Sequence, residues 1–168
     1  MRMAWLVIIG AVLAGCGSGS KGGSGTDGNA MLPVPVPGTA RVVLSTRGPT
    51  ADTILYAVQF TLRLPLAVSL PPSDGDGLLP AGVLQAAPSG SFAGASYLPA
   101  TTDTGPVLQV NIFHPGGFTV GPLATLDCNV AVGAEVSASG FTVDGFSARD
   151  ANGAPLPGIT PHLALLTQ

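Results

Sequence analysis

The segment Thr53–Leu64 restricts the fold more than any other part of the chain, because apolar residues occupy every second position of it. The even-numbered residues form the apolar set: Ile54, Tyr56, Val58, Phe60, Leu62 and Leu64. The odd-numbered residues are Leu55, Ala57, Gln59, Thr61 and Arg63. A period of two is typical of a β-strand with one buried face, and Pro65 ends the pattern. We therefore expect a strand whose even-numbered side chains face the core.

Strand patterns recur through the rest of the chain. Two runs alternate clearly, Val107–Phe113 and Leu123–Val132. Shorter runs of strand-forming residues are Ala40–Thr46, Val68–Leu70, Val83–Ala86, Phe92–Leu98, Phe141–Ala148 and His162–Thr167. The connecting segments are rich in Gly, Pro, Asp and Asn, and no window has a helical period. Eight or nine short strands separated by turns predict an all-β antiparallel sandwich or barrel.

The first sixteen residues have the form of a bacterial lipoprotein signal. Arg2 carries a positive charge, Ala4–Val12 is apolar, and Leu13–Cys16 reads Leu-Ala-Gly-Cys, which has the form of a lipobox. The apolar run is shorter than the roughly 20 residues that a membrane-spanning helix needs. The resemblance to bacterial lipoproteins implies removal of residues 1–15 and acylation of Cys16, for example with palmitate. The alternatives are a short buried helix and an ordinary signal peptide that contains a cysteine.

The expected anchor also sets the expected location of the protein. Acyl chains on Cys16 would hold the chain in the bacterial cell envelope, since each buried methylene contributes about 0.8 kcal/mol to membrane binding. Gly17, rather than an aspartate, follows the cysteine. In a Gram-negative host, the lipoprotein resemblance then implies the outer membrane.

Residues 16–38 are predicted to form a tether, and residues 39–168 a single domain. Gly17–Ala30 is mostly Gly and Ser, with Thr, Asp, Asn and Lys21, which is typical of a flexible coil. Pro33–Pro37 alternates proline with valine, which favours a stiff extended spacer. An edge strand and a plain linker are the alternatives for the proline-rich part. The remaining length is that of one ordinary domain with its own core.

Composition and charge exclude some classes of partner. Only 9% of the residues are charged, the net charge is −3, and Lys21 is the only lysine. Such a surface argues against nucleic acid as a partner and against electrostatic attraction to anionic lipid. With Cys16 assigned to the lipid, Cys128 is left without an intrachain disulfide partner. We expect it to be a small buried apolar residue, with an intermolecular bridge or a reactive thiol as the alternatives.

The order of strands and turns resembles that of the cohesin domain. The segments that carry the resemblance are Ile54–Pro65, Gly82–Leu84, Val107–Phe113, Gly121–Ala134, Phe141–Ala148 and Asp150–Gly153. The resemblance covers most of Ala40–Leu166 and implies a jelly-roll sandwich related to carbohydrate-binding modules. It also implies a sheet face that binds dockerin modules and includes the strand Thr53–Leu64. Typical members carry Asn and Asp where this chain has Ala57 and Gln59.

Candidate binding residues follow from the strand patterns. Gln59 and Arg63 are expected on the outward face of the Thr53–Leu64 strand. Tyr97 and Phe118 are expected to be exposed rings that could stack on sugars. The other aromatic residues in strand patterns are assigned to the core: Tyr56, Phe60, Phe113, Phe141 and Phe146.

Signals for catalysis or metal binding are weak. His114 precedes Pro115-Gly116-Gly117 and is expected in a loop, His162 is expected to be structural, and no nucleophile elbow or zinc-ligand spacing occurs. The Asp74–Gly77 segment lacks the later ligands of a calcium loop. Asp150 and Asn152 are expected to form a turn first and to bind a cation only second. We expect no cofactor and no enzyme activity.

The sequence thus favours a membrane-anchored, non-enzymatic binding or scaffolding module displayed outside the cytoplasm, which binds an extracellular, dockerin-like protein through a cohesin-like interaction. The main alternative is a polysaccharide-binding accessory module of an extracellular glycan-degrading or adhesion system. A third hypothesis is an enzyme whose site has no recognisable motif.

Overall fold

The computed structural model describes residues 38–71 and 77–167. Within them, the regular structure is β-strand apart from one 3-10 turn at Ala138–Gly140. The strands are β1 (Gly38–Arg47), β2 (Ile54–Arg63), β3 (Val68–Ser69), β4 (Leu84–Ala86), β5 (Phe92–Leu98), β6 (Val107–Thr119), β7 (Pro122–Val130), β8 (Thr142–Arg149) and β9 (Thr160–Thr167). The all-β prediction is confirmed, and each of the predicted runs overlaps one of these strands.

The strands form two antiparallel sheets that pack as a sandwich. The five-stranded sheet has the order β3-β7-β1-β9, with β4 also paired to β7, and the four-stranded sheet has the order β5-β6-β2-β8. The chain passes from one sheet to the other at every connection except β3 to β4 and β5 to β6. Repeated crossing of this kind is what a double-sheet jelly roll requires.

The core lies between the two sheets and is built from alternate residues of the long strands. Its deeply buried members include Val42, Leu44, Val58, Leu62, Leu108, Val110, Ile112 and Leu126. Burying a side chain of this size contributes about 1.5–3 kcal/mol. The predicted inward faces of Val107–Phe113 and of the central part of Thr53–Leu64 are confirmed.

The predicted alternation is wrong at the start of β2. Leu55 is completely buried, whereas Ile54 is 45% exposed and Tyr56 is half-buried. The pairing of β2 with β6 shifts register between Leu55 and Ala57. A bulge adds a residue to one strand and so changes which side chains face the core on either side of it.

β6 continues through a segment that the sequence predicts to be a loop. Phe113 pairs with Ala57 and Phe118 pairs with Leu55, so residues 114–117 lie opposite Tyr56 alone. Gly117 adopts a φ of 75°. A Cβ at Gly117 would also lie 2.5 Å from Ile54 Cγ2, so glycine permits the close approach of the two strands.

A second bulge shapes β8. Gln59 of β2 pairs with Ser147 and Thr61 pairs with Asp144, so β8 has one extra residue between them. Gly145, with a φ of 60°, provides the left-handed conformation. The bulge directs Phe146 toward the core, where its ring stacks on Phe60 at a centroid distance of 6.3 Å.

The N-terminal predictions concern residues outside the described part of the chain. These are the signal at residues 1–15, the acylated Cys16 and the tether at residues 16–38, apart from Gly38, with which β1 begins. Asp74 and Asp76 of the rejected calcium loop also lie outside it. Among the described residues, no helix is long and apolar enough to cross a membrane.

Candidate functional site

The outer face of the four-stranded sheet brings together aromatic, amide and charged side chains. Its outward residues are aligned across β5, β6, β2 and β8 by the strand pairing. From one end to the other, the four rows are Phe92-Phe113-Ala57-Arg149, Gly94-Asn111-Gln59-Ser147, Ser96-Gln109-Thr61-Asp144 and Leu98-Val107-Arg63-Thr142. We call this surface the outer face.

The two middle rows are polar and contain three amide side chains, Gln59, Gln109 and Asn111, all exposed. Arg63 is also exposed, and its Nε donates to Asp144 Oδ2 at 2.6 Å. Gln59 and Arg63 therefore lie on the outward surface where the sequence places them. Because both members of the Arg63–Asp144 pair are more than half exposed, the pair adds little stability and fixes the position of the guanidinium.

One end of the outer face is aromatic. Phe92 and Phe113 pair directly across β5 and β6 and are 66% and 49% exposed. Their rings stack with centroids 6.5 Å apart and an interplanar angle of 24°. The assignment of Phe113 to the core is wrong, because it shares the β6 face of Gln109 and Asn111. The alternation of Val107–Phe113 itself predicts that Phe113 faces outward, because it lies two residues after Asn111.

A shallow pocket of 410 Å³ adjoins the aromatic pair. The side chains that give it chemical character are Tyr56, Phe113, Pro115, Arg149 and Asp150. Arg149 Nη1 donates to the Gly153 carbonyl oxygen at 2.8 Å. Among the described residues, no carboxylate lies within ion-pair distance of Arg149. Since a guanidinium carries five N–H donors, Arg149 retains donors that can bind a ligand.

Asp150 and Asn152, the weak metal candidates, lie in the turn that follows β8. Asp150 Oδ1 accepts hydrogen bonds from the backbone N–H groups of Asn152 at 2.9 Å and Ala154 at 2.8 Å. This is an Asx-type turn, in which the carboxylate holds its own backbone. Within the described ranges, no cluster of three or more His, Cys, Asp or Glu side chains could hold a metal ion.

The two rings predicted to be exposed are not exposed platforms. Phe118 is only 8% exposed and belongs to the core, because the continuation of β6 turns it inward opposite Leu55. Tyr97 is half-buried and packs against the core from its position opposite Leu108. The sugar-stacking role predicted for Tyr97 and Phe118 therefore lacks the ring exposure on which it depends.

His114 has structural contacts at both ring nitrogens. Nδ1 accepts the Gly116 N–H at 3.0 Å, so the proton resides on Nε2, which then donates to the Ser89 carbonyl oxygen at 3.0 Å. His114 is part of β6, and its expected loop position is wrong. His162 lies on β9 opposite Ser45, whose Oγ is 3.5 Å from Nδ1.

The five-stranded sheet carries a second ion pair, between Arg41 and Asp127. Arg41 Nε donates to Asp127 Oδ1 at 2.7 Å and Nη2 donates to Oδ2 at 3.0 Å. The hydrogen bonds from Arg41 lower the pKa of Asp127 below its usual value. The next residue, Cys128, points inward and is 2% exposed. Burial, reinforced by the charge of Asp127, raises the pKa of Cys128 to about 12.

Taken together, the described groups can bind a ligand through aromatic contact, amide hydrogen bonds and one arginine. No family model matches this chain, and no match is found among curated proteins or among solved structures. Independently of these comparisons, the strand order shows an all-β domain of two antiparallel sheets packed as a sandwich.

Proposed function

We propose that this protein is a non-enzymatic binding module that docks a partner protein on the outer face of its four-stranded sheet. The observation that carries the proposal is the exposed Phe92–Phe113 pair beside the pocket of Tyr56 and Arg149. Aromatic and arginine side chains are the residue types that contribute most to protein interfaces.

The distribution of exposed apolar side chains supports this choice of surface. Of the large apolar residues that the described part of the chain exposes, Phe92 and Phe113 pair with each other at one end of the outer face, and Leu98 lies in the row at its other end. Exposed apolar residues scattered singly need no explanation, whereas a contiguous patch rimmed by polar groups marks an interaction site. Here the rim is formed by the amide rows and by Arg149.

In its finer form, the proposal is that this chain is a cohesin-like module whose partner is dockerin-like. The strand that the resemblance assigns to the binding face is β2, and β2 lies inside the four-stranded sheet between β6 and β8. Ala57 and Gln59 both belong to its outward rows. In this chain, aromatic side chains at one end of the face would supply the main contacts, with a dockerin-like module as the partner.

We further propose that acyl chains on Cys16 anchor the module in a bacterial envelope, in the outer membrane if the host is Gram-negative. The lipobox pattern at Leu13–Cys16 supports this part of the proposal. Replacing Cys16 by Ser should abolish labelling with a radioactive fatty acid and release the protein from membranes. Labelling that persists in the Cys16→Ser protein would rule out this anchor.

Polysaccharide binding is the second candidate function. It is favoured by the position of the Phe92–Phe113 pair next to the amide row of Asn111 and Gln59. Aromatic rings pack against the apolar faces of sugars, and amides exchange hydrogen bonds with hydroxyl groups.

The deciding experiment is affinity capture from the envelope and culture fluid of the producing organism, with and without calcium. The bait is residues 34–168, the compact unit that contains the sandwich. Two variants are compared with it: Phe92→Ser combined with Phe113→Ser, and Leu66→Ser as the control. Leu66 is 59% exposed and is not part of the outer face, so the control removes exposed apolar surface at a different place on the domain.

A protein that binds saturably to the wild type and to Leu66→Ser, but not to the double variant, is the expected result. Calcium dependence would indicate a dockerin-type partner. Capture of no saturable partner, or equal capture by the double variant, would overturn docking on this face. Retention on a glycan array that the double variant loses would replace the protein partner by a polysaccharide.

A further inference from the structure

Most sheet edges in the described part of the sandwich are short or covered. β3 and β4 are two and three residues long. The edge of β5 receives the segment around Leu78, where Tyr97 N–H donates to the Gly77 carbonyl oxygen at 2.9 Å. The edge of β8 receives residues 155–156, with a hydrogen bond of 2.9 Å from Leu156 N–H to the Ala148 carbonyl oxygen. Covering or shortening edge strands prevents unwanted pairing.

Within the described ranges, the edge formed by β9 receives no such backbone pairing, although the turn at Ala138–Gly140 lies close to this strand. β9 has eight residues and pairs with β1 in one unbroken register, from Ala40 opposite Thr167 to Arg47 opposite Thr160. Among the described residues, no backbone hydrogen bond outside this ladder involves β9. The strand reads Thr-Pro-His-Leu-Ala-Leu-Leu-Thr and contains no acidic or basic residue apart from His162.

Pro161 indicates which backbone groups of β9 face outward. A proline inside a sheet occupies an edge-strand position whose missing N–H would point away from the neighbouring strand. Since backbone direction alternates along a strand, Leu163 and Leu165 also direct their N–H and C=O groups away from β1. The contact of Ser45 Oγ with the His162 carbonyl oxygen, at 3.5 Å, agrees with this alternation.

We propose that β9 pairs with β9 of a second copy of this chain, antiparallel about a twofold axis, to join two five-stranded sheets into one. An antiparallel edge is self-complementary under twofold symmetry, because each strand offers the other the same row of donors and acceptors. No formal charges oppose each other along the pair. The proposal does not depend on the proposed function, because the outer face belongs to the other sheet.

The side chains of β9 suit this partner. When Leu163 lies opposite Leu165 of the second copy, Ala164 faces its own equivalent across the axis. That close pair is of the non-hydrogen-bonded type, in which side chains approach most closely, and alanine is small enough to fit. In the same register, Leu166 lies opposite His162 of the second copy. Leu166 is 54% exposed in the single chain, and pairing would cover it.

One strand pair buries less surface than a permanent dimer needs, so we expect a weak, concentration-dependent dimer. The test is sedimentation equilibrium of residues 34–168 at total concentrations from about 1 to 500 µM. Two variants target the edge. Ala164→Lys places two like charges at the axis, and Leu165→Pro removes an outward N–H without removing a hydrogen bond to β1. Ala151→Lys, in an exposed turn, controls for the added charge.

The expected result is a dimer in the wild type and in Ala151→Lys, with the dissociation constant raised about tenfold or more in Ala164→Lys and Leu165→Pro. Urea unfolding establishes whether each variant is folded. If Leu165→Pro is unfolded, the dissociation constant of Ala164→Lys alone tests the proposal. A monomer at every concentration would overturn the proposal. It would also be overturned by a dimer that both edge variants retain, or one that Ala151→Lys weakens equally.

Discussion

Phe92 and Phe113 lie directly opposite each other on β5 and β6, and their rings stack on the solvent side of the sheet at a centroid distance of 6.5 Å. A cross-strand aromatic pair contributes about 0.5–1.5 kcal/mol beyond its burial. This contribution is small beside that of a core aromatic residue. We therefore expect that the pair can be removed without unfolding the domain, which separates its structural role from its proposed role in binding.

Replacing both Phe92 and Phe113 by Ala should lower the free energy of unfolding by only about 1 kcal/mol, since the pair remains largely exposed. Replacing the buried Phe60 by Ala should cost about 3–5 kcal/mol, because it removes a ring that is 2% exposed and leaves a cavity. Urea unfolding followed by circular dichroism measures both. Equal losses in the two variants would mean that the exposed pair is a structural element rather than a binding surface.

The bulge in β8 depends on Gly145. Its φ of 60° is a left-handed conformation, yet a Cβ there would meet no atom within 4 Å. Gly145→Ala should therefore destabilise the domain through backbone strain alone, by about 1–2 kcal/mol. Gly94 in β5 is a matched control, because it also has open space around a Cβ and does not have a left-handed φ. In thermal unfolding, Gly94→Ala should match or slightly exceed the wild type in stability. A Gly145→Ala protein as stable as Gly94→Ala would contradict the strained bulge.

The sequence was sufficient to predict the strands because their signal is periodic. The alternation of Leu108, Val110 and Ile112, for example, identifies both a strand and its buried face. Nine such runs with turns between them leave an antiparallel sandwich or barrel as the simplest arrangement. Every strand predicted in this way is present, because apolar alternation and tertiary burial favour the same pairing.

The candidate site was less predictable because bulges interrupt the period. The extra residues at 114–117 change the inward face of β2, so Leu55 is buried and Ile54 is exposed. The extra residue at Gly145 has the same effect in β8, where Val143 and Phe146 both pack against the core. A glycine in a strand permits a bulge, but it does not say where pairing resumes. The sequence pattern does not single out Phe92, because it begins a short run whose outward face can be recognised only from its pairing with Phe113.

The ion pair between Arg41 and Asp127 makes stability depend on pH in the acid range. Hydrogen bonds from Arg41 hold the pKa of Asp127 below its usual value, so the folded state favours the carboxylate. The contribution of the ion pair to stability is complete above the pKa of Asp127 in the unfolded chain, about 3.9. It is lost as the pH falls through the lower pKa that Asp127 has in the folded state. Because both side chains are about 40% exposed, the effect should be small.

Urea unfolding between pH 5 and pH 2 should therefore show a weaker acid-induced loss of stability in Asp127→Asn than in the wild type. Asp103→Asn, in the exposed turn at 101–104, controls for the loss of one negative charge. Identical pH profiles for the wild type and Asp127→Asn would show that this pair does not contribute to acid stability.

The thiol of Cys128 should be unreactive in the folded protein. It is 2% exposed, and burial raises its pKa to about 12, so almost none of it is thiolate at pH 8. An unfolded cysteine has a pKa of about 8.5, and the difference in thiolate fraction alone predicts modification at least about a hundredfold slower in the native state. Cys128 is the only cysteine in residues 34–168, so reaction with a chromogenic disulfide reagent reports on it directly.

The raised pKa of Cys128 also makes stability depend on pH in the alkaline range. Since the folded state holds the proton more tightly, the contribution of Cys128 is complete below about pH 8.5 and is lost as pH rises toward the folded pKa. Cys128→Ala should therefore lose less stability than the wild type between pH 8 and pH 10. Rapid modification of the native protein, or a covalent dimer on a non-reducing gel, would instead show that this strand opens and exposes Cys128.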